Sequence, residues 1–78
     1  VGASWPAVNI EKLLRILTHH CGEPTRIRGS HHYFRSPYNN RQVLLAMHNK
    51  EMWGPHVRKL LVAGLGLSEE EARREVSR

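Results

Sequence analysis

A chain of 78 residues has room for one domain with a small core, burying only about 60% of the surface its unfolded form exposes, and excludes a deep, fully enclosed active site. Twelve Lys+Arg against seven Asp+Glu give a net charge of +5 at pH 7, placed unevenly: residues 1–67 carry most of the excess, whereas residues 68–78 are slightly acidic. A positive body suits a polyanionic partner, because each cation meeting a phosphate releases condensed counterions. The single Cys21 excludes an intrachain disulfide, no apolar run approaches the roughly 18 residues of a membrane span, and no signal peptide is visible. The expectation is a cytoplasmic protein with no membrane partner.

Residues 1–8 show no periodicity and read as a flexible N-terminal arm or a remnant foreign to the domain. Asn9 is a good N-cap. Ile10, Leu13, Leu14 and Leu17 follow at helical spacing, and Gly22 suits the position just past a helix end, so a first helix is expected over 10–21. Glu23-Pro24 breaks it. Residues 25–28 alternate weakly, Gly29-Ser30 is a turn signal, and 31–35 alternate again, with His31, Tyr33 and Arg35 on one face and His32 and Phe34 on the other. Phe34 is expected to pack against the helices. A Pro- and Asn-rich turn at 36–41 leads to a β-prone run over 42–47. Three short strands with short connections form an antiparallel meander.

Gly54-Pro55 opens a helix with Pro at its first position; Val57, Leu60 and Leu61 form its inward stripe, and Gly64 or Gly66 ends it. Ser68 and Glu71 form a capping box, with Leu67 placed to staple onto Ala72. This last helix has few apolar residues and is expected to dock lightly or to contact a partner. The order α-β-β-β-α, followed by a short C-terminal helix, predicts an α+β sandwich with a three-stranded antiparallel sheet. The expected organisation is an arm at 1–8, a domain at 9–67 and a C-terminal helix at 68–78.

Six histidines in so short a chain suggest proton transfer, metal binding or pH sensing, since the unperturbed imidazole titrates near neutral pH. His19-His20-Cys21 is contiguous, and contiguous helical residues point in different directions, so it reads as a helix C-terminus rather than a metal site; no metal or other cofactor is expected. Arg28-Gly29-Ser30-His31-His32-Tyr33 is the richest segment. Gly29 allows a tight turn or a close approach to phosphate. Arg28 and Arg35 can pair with phosphate oxygens. A histidine fixed on a strand can take a proton from a ribose 2′-hydroxyl or give one to a leaving oxygen. Read from the residues alone, an ordinary hairpin with exposed histidines is the favoured reading. Arg26, Arg41, Lys50, Arg58 and Lys59 add cations from neighbouring strands, loops and helix. Trp53 and Tyr38 sit at loop positions suited to base stacking, though Trp53 is favoured as a lid on the core.

Arg26-Ile27-Arg28-Gly29-Ser30-His31-His32-Tyr33-Phe34, preceded by a helix with Lys12-Leu13-Leu14 and followed by a strand ending at His48, resembles the core of HicA-type (YcfA-like) toxins. These are the mRNA interferases of type II toxin–antitoxin pairs. The match continues through Val57-Arg58-Lys59-Leu60-Leu61, Gly64-Leu65 and Leu67-Ser68; Met47 stands where a Pro is common, and residues 49–53 depart from the usual basic loop. The resemblance implies a double-stranded-RNA-binding-domain-like fold, an endoribonuclease cleaving mRNA without a metal cofactor, and a HicB-type antitoxin as partner. It marks His31 as the catalytic residue, with His32 and His48 as weaker candidates. From the residues themselves, Arg26, Arg28, Arg35, Arg41, Lys50, Arg58 and Lys59, with Gly29 and Ser30 at the turn, are expected to form the RNA-binding surface. The alternatives are a non-catalytic RNA-binding module of the same fold and a DNA-binding domain; the latter lacks a helix dense in base-reading side chains.

Overall fold

The computed structural model describes residues 4–78. In chain order it contains β1 (Val8–Asn9), α1 (Ile10–Cys21), β2 (Arg26–Arg28), β3 (His31–Arg35), β4 (Gln42–Ala46), β5 (Glu51–Met52), α2 (Gly54–Arg58), a π-helical continuation (Lys59–Gly64) and α3 (Glu69–Ser77). β2, β3 and β4 form one antiparallel sheet in sequence order, and β1 pairs with β5 in a separate two-stranded ladder. The molecule is thus a small α+β domain in which the helices cover one face of a three-stranded antiparallel sheet.

Helix α1 begins where its cap predicts, with the Asn9 side chain accepting from the Glu11 amide. Its stripe of Ile10, Leu13, Ile16 and Leu17 is buried. The sheet answers with Phe34, Val43 and Leu45, and the second helical segment with Val57, Leu61 and Leu65, all in one core. An α-helix advances 3.6 residues per turn, so side chains spaced by four drift around its axis. The widened turn at Lys59–Gly64, closed by the Leu65 amide on the Leu60 carbonyl, offsets that drift. It keeps Val57, Leu61 and Leu65 aimed at the sheet. The end of this segment is tied to the β3–β4 turn. Buried Ser36 donates to the Leu65 carbonyl at 2.6 Å, and Asn39 donates to that of Gly64 at 3.1 Å.

The N-terminal segment is more integrated than its sequence suggests. Val8 is 5% exposed and pairs with Met52, and Trp5 packs at the edge of the core with the Arg73 guanidinium 4.4 Å from its ring centre. A Cβ added at Gly54 would overlap the Trp5 carbonyl, so glycine is what lets the segment cross the start of α2. The expectation of a flexible arm is therefore corrected for residues 4–8; residues 1–3 lie outside the described residues. Two-residue strands have no periodicity to read, so the sequence carries no sign of this pairing.

The C-terminal helix carries the predicted capping box in full, with Leu67 and Ala72 both buried. Its docking is largely polar. Lys12 donates to the Val76 and Arg78 carbonyls at 2.7 and 2.8 Å. No helix among the described residues is long and apolar enough to cross a membrane.

Candidate nucleic-acid interface

Gly29-Ser30 connects β2 to β3 as a two-residue loop, since Arg28 pairs directly with His31. Gly29 has φ +60°, whereas Ser30 keeps a negative φ. This is the pattern of a II′ hairpin turn, which asks for glycine first. The register then sorts the strands onto two faces, because paired residues in an antiparallel ladder share a side. Ile27, His32 and Leu45 fall on the core side with Phe34 and Val43. Arg26, Arg28, His31, Tyr33, Arg35, Gln42, Leu44 and Ala46 fall on the outer side, away from the helices.

None of the strand residues on that outer side is acidic. Neither Arg26 nor Arg28 has an ion-pair partner among the described residues, and the Arg35 guanidinium donates to the Asn40 carbonyl at 2.9 Å. In contrast, the carboxylates of α3 are engaged: Glu69 with Arg58 and Arg73, Glu70 with Arg74, and Glu75 with His20 and Arg78.

His31 lies at the hairpin end of this face, in one row with Arg28 and Ala46. Its ring centre is 6.4 Å from that of Tyr33 and 6.3 Å from that of His48. Its two nitrogens have no hydrogen-bond partner among the described residues. The strand expected to end at His48 instead stops at Ala46 as β4, and His48 reaches His31 from the turn that follows. The turn is anchored by the Met47 amide donating to the Ser30 carbonyl at 2.7 Å. The Ser30 hydroxyl stands 3.2 Å from His48 Nδ1, which orients that ring and leaves its Nε2 open. Two imidazoles with ring centres 6.3 Å apart, on a face where Arg26 and Arg28 have no ion pair among the described residues, have the groups to move one proton on and another off while holding an anion.

The remaining predicted residues divide. His32 points to the core side, and its Nδ1 is buried without a partner; it cannot share a substrate atom with His31. Lys50 lines a depression with His48 and with Asn9, Ile10 and Glu11 at the start of α1, so His48 is its link to the His31 group. Arg41 is exposed on the β3–β4 turn. Arg58 is held by Glu69 at 3.0 Å. Lys59 lines a separate apolar groove with Met52, His56 and Leu60. Nothing joins these last two to the His31 group. Trp53, favoured from the sequence as a lid, is instead 65% exposed, with its ring edge-on to His56.

One polar cluster has no counterpart in the sequence reading. His20 Nδ1 lies 2.7 Å from the Tyr38 hydroxyl, and its Nε2 lies 2.6 Å from Glu75. The partners are 18 and 55 residues away, so no local pattern announces them. Burial alone would push the Glu75 carboxyl up. The hydrogen bond and charge of His20, helped by Arg78, outweigh it and hold the group below the usual carboxylate range. Glu71 is also held low, by its hydrogen bonds with the Ser68 backbone and hydroxyl. Burial pushes the Cys21 thiol up, away from reactive thiolate. Among the described residues no group of three His, Cys, Asp or Glu is placed to hold a metal ion.

Comparison with protein-family models, curated proteins and solved structures returns no match for this chain.

Proposed function

We propose that this chain is the toxin component of a type II toxin–antitoxin pair, an endoribonuclease of the HicA type that cleaves mRNA without a metal cofactor. The observation that carries this reading is the His31–His48 pair, 6.3 Å apart on an open face whose strand residues include three arginines and no carboxylate. His31 takes the proton from a ribose 2′-hydroxyl. The 2′-oxygen attacks the adjacent phosphorus, and the bond to the 5′-oxygen breaks. His48 supplies the proton to that leaving oxygen. The products are a 2′,3′-cyclic phosphate and a free 5′-hydroxyl. Arg28 and Arg26 hold the charge that accumulates on the phosphoryl oxygens, and the Gly29-Ser30 turn lets the backbone come close.

The α-β-β-β-α order of α1, the sheet and α2 supports a double-stranded-RNA-binding-domain-like architecture. A HicB-type antitoxin would neutralise the enzyme by covering the His31 face in the cytoplasm. The test is RNA degradation by purified wild type and His31→Ala, each with and without EDTA. The expected result is cleavage by wild type in both buffers and a loss of roughly a hundred- to ten-thousandfold in the variant. Full activity in His31→Ala, or complete loss of wild-type activity in EDTA, overturns the proposal. RNA binding with no scission by wild type assigns the chain to the alternative, a non-catalytic RNA-binding module.

A further inference from the structure

The outer sheet face contains more than the proton-transfer pair needs. Tyr33 stands next to His31 on β3, half-buried, and its hydroxyl has no partner among the described residues. Its cross-strand partner Leu44 is 43% exposed, although the core lies on the other side of the sheet. Ala46 sits opposite His31 in the same row. Together they make an apolar floor in an otherwise cationic surface. Over it lies the Arg26 guanidinium, 5.5 Å from the Tyr33 ring centre.

We infer that this floor is a nucleobase subsite and that the site takes an unpaired RNA strand, with one base stacked on Tyr33 beside the phosphate held at His31. The inference rests on the RNA-cleaving reading above and names the strand form and the residue that reads it. In a duplex the bases are stacked on one another and cannot lie flat on a protein ring; in a single strand each presents a π-face. The Arg26 guanidinium occupies the place a base would take. An exposed cation–π contact is weaker than base–aromatic stacking, so the base displaces it. The freed guanidinium then turns to the backbone phosphate, where a charge-assisted pair replaces the lost contact.

The test is fluorescence-anisotropy binding of wild type, Tyr33→Leu and Tyr33→Phe to strands that cannot be cut at the 2′-position. Three 2′-O-methyl probes of equal length are used: a single strand, the corresponding duplex, and a single strand with its bases replaced by abasic units. Wild type is expected to favour the single strand over the duplex by roughly tenfold or more. Tyr33→Leu should lose roughly ten- to hundredfold on the single strand and bind the abasic strand as wild type does. Tyr33→Phe keeps the ring and should retain wild-type affinity. Equal affinity of wild type for duplex and single strand overturns the inference, as does an equal loss by Tyr33→Leu on the abasic strand. Binding to none of the probes also overturns it and leaves the face to a protein partner. Because these strands cannot be cleaved, the outcome is separate from that of the His31 assay: scission that is indifferent to Tyr33 removes the subsite and leaves the nuclease, while Tyr33-dependent binding without scission removes the nuclease and leaves the subsite.

Discussion

Histidines gather at two places in this molecule, and their surroundings differ in nearly every respect. At the junction of α1, α3 and the β3–β4 turn, His20 has both ring nitrogens engaged, one by Tyr38 and one by Glu75, with its side chain only 12% exposed. On the outer sheet face, both nitrogens of His31 are open among the described residues, and the arginines beside it have no carboxylate to answer them. The first arrangement uses the hydrogen-bonding capacity of the ring to hold elements together. The second leaves that capacity unused among the described residues, as the proposed cleavage requires. What separates a fastening histidine from a working one is therefore whether its donors and acceptors are already satisfied, not its residue type or its place in a motif.

The comparison breaks most decisively at His31. Replacing it with Ala should lower cleavage by roughly two to four orders of magnitude while leaving the circular dichroism spectrum and the thermal midpoint nearly as they were, because among the described residues no hydrogen bond ties its ring to the fold. His20→Ala should do the reverse. The Tyr38 hydroxyl and the largely buried Glu75 carboxylate lose their shared partner, at a cost of about 1.5–3 kcal/mol for a hydrogen bond to a charged group. Urea titration is expected to show a lower midpoint, with cleavage per folded molecule unchanged. A catalytic loss in His20→Ala at full folding would place both histidines in one working unit and end the distinction.

Much of this architecture is legible in the amino-acid sequence, and the illegible parts share a cause. Asn9, the Ile10–Leu17 stripe and Gly22 define α1 because capping and periodicity are local. The two-residue turn at Gly29-Ser30 fixes the register of β2 on β3, and with it the faces of His31, His32 and Phe34. What stays hidden depends on distant partners. The Val8–Met52 pairing is too short to leave a pattern, the π-helical turn has no spacing signature, and His20 meets Glu75 across most of the chain. The exposure of Trp53 is hidden too, because an aromatic ring beside Gly-Pro reads the same whether it covers a core or faces solvent. The place of His48 depends on where β4 ends, which the Met47–Ser30 hydrogen bond decides.

A smaller effect tests the charge side of the comparison. If Arg28 meets a phosphate, Arg28→Gln should weaken RNA binding uniformly across sequences. The slope of log affinity against log salt should become shallower by about one. Arg58→Gln should leave that slope alone, since its guanidinium is already committed to Glu69 at 3.0 Å. An equal change from both variants would mean that the outer face has no special claim on the polyanion.

The smallest effect is in acid, and it belongs to the fastened side alone. Glu75 and Glu71 are held below the usual carboxylate range in the folded chain. The unfolded chain therefore binds more protons as pH falls through the acid range, and stability falls with it. The contribution of each group is complete above its unfolded value and is lost as pH drops through its folded one. Thermal midpoints measured from neutral pH down to about pH 3 should trace this decline. Glu75→Gln should start from a lower midpoint at neutral pH and fall less steeply, because one of the two depressed carboxylates is gone. Glu71→Gln should flatten the curve with a smaller cost at neutral pH, since Gln at that position can still close the capping box. His31→Ala should leave the curve superimposable on that of wild type. An acid limb that is parallel in Glu75→Gln and wild type would show that the ionisation of Glu75 contributes nothing to the acid loss, and an unchanged midpoint at neutral pH would show that its contact with His20 does not hold α3 in place.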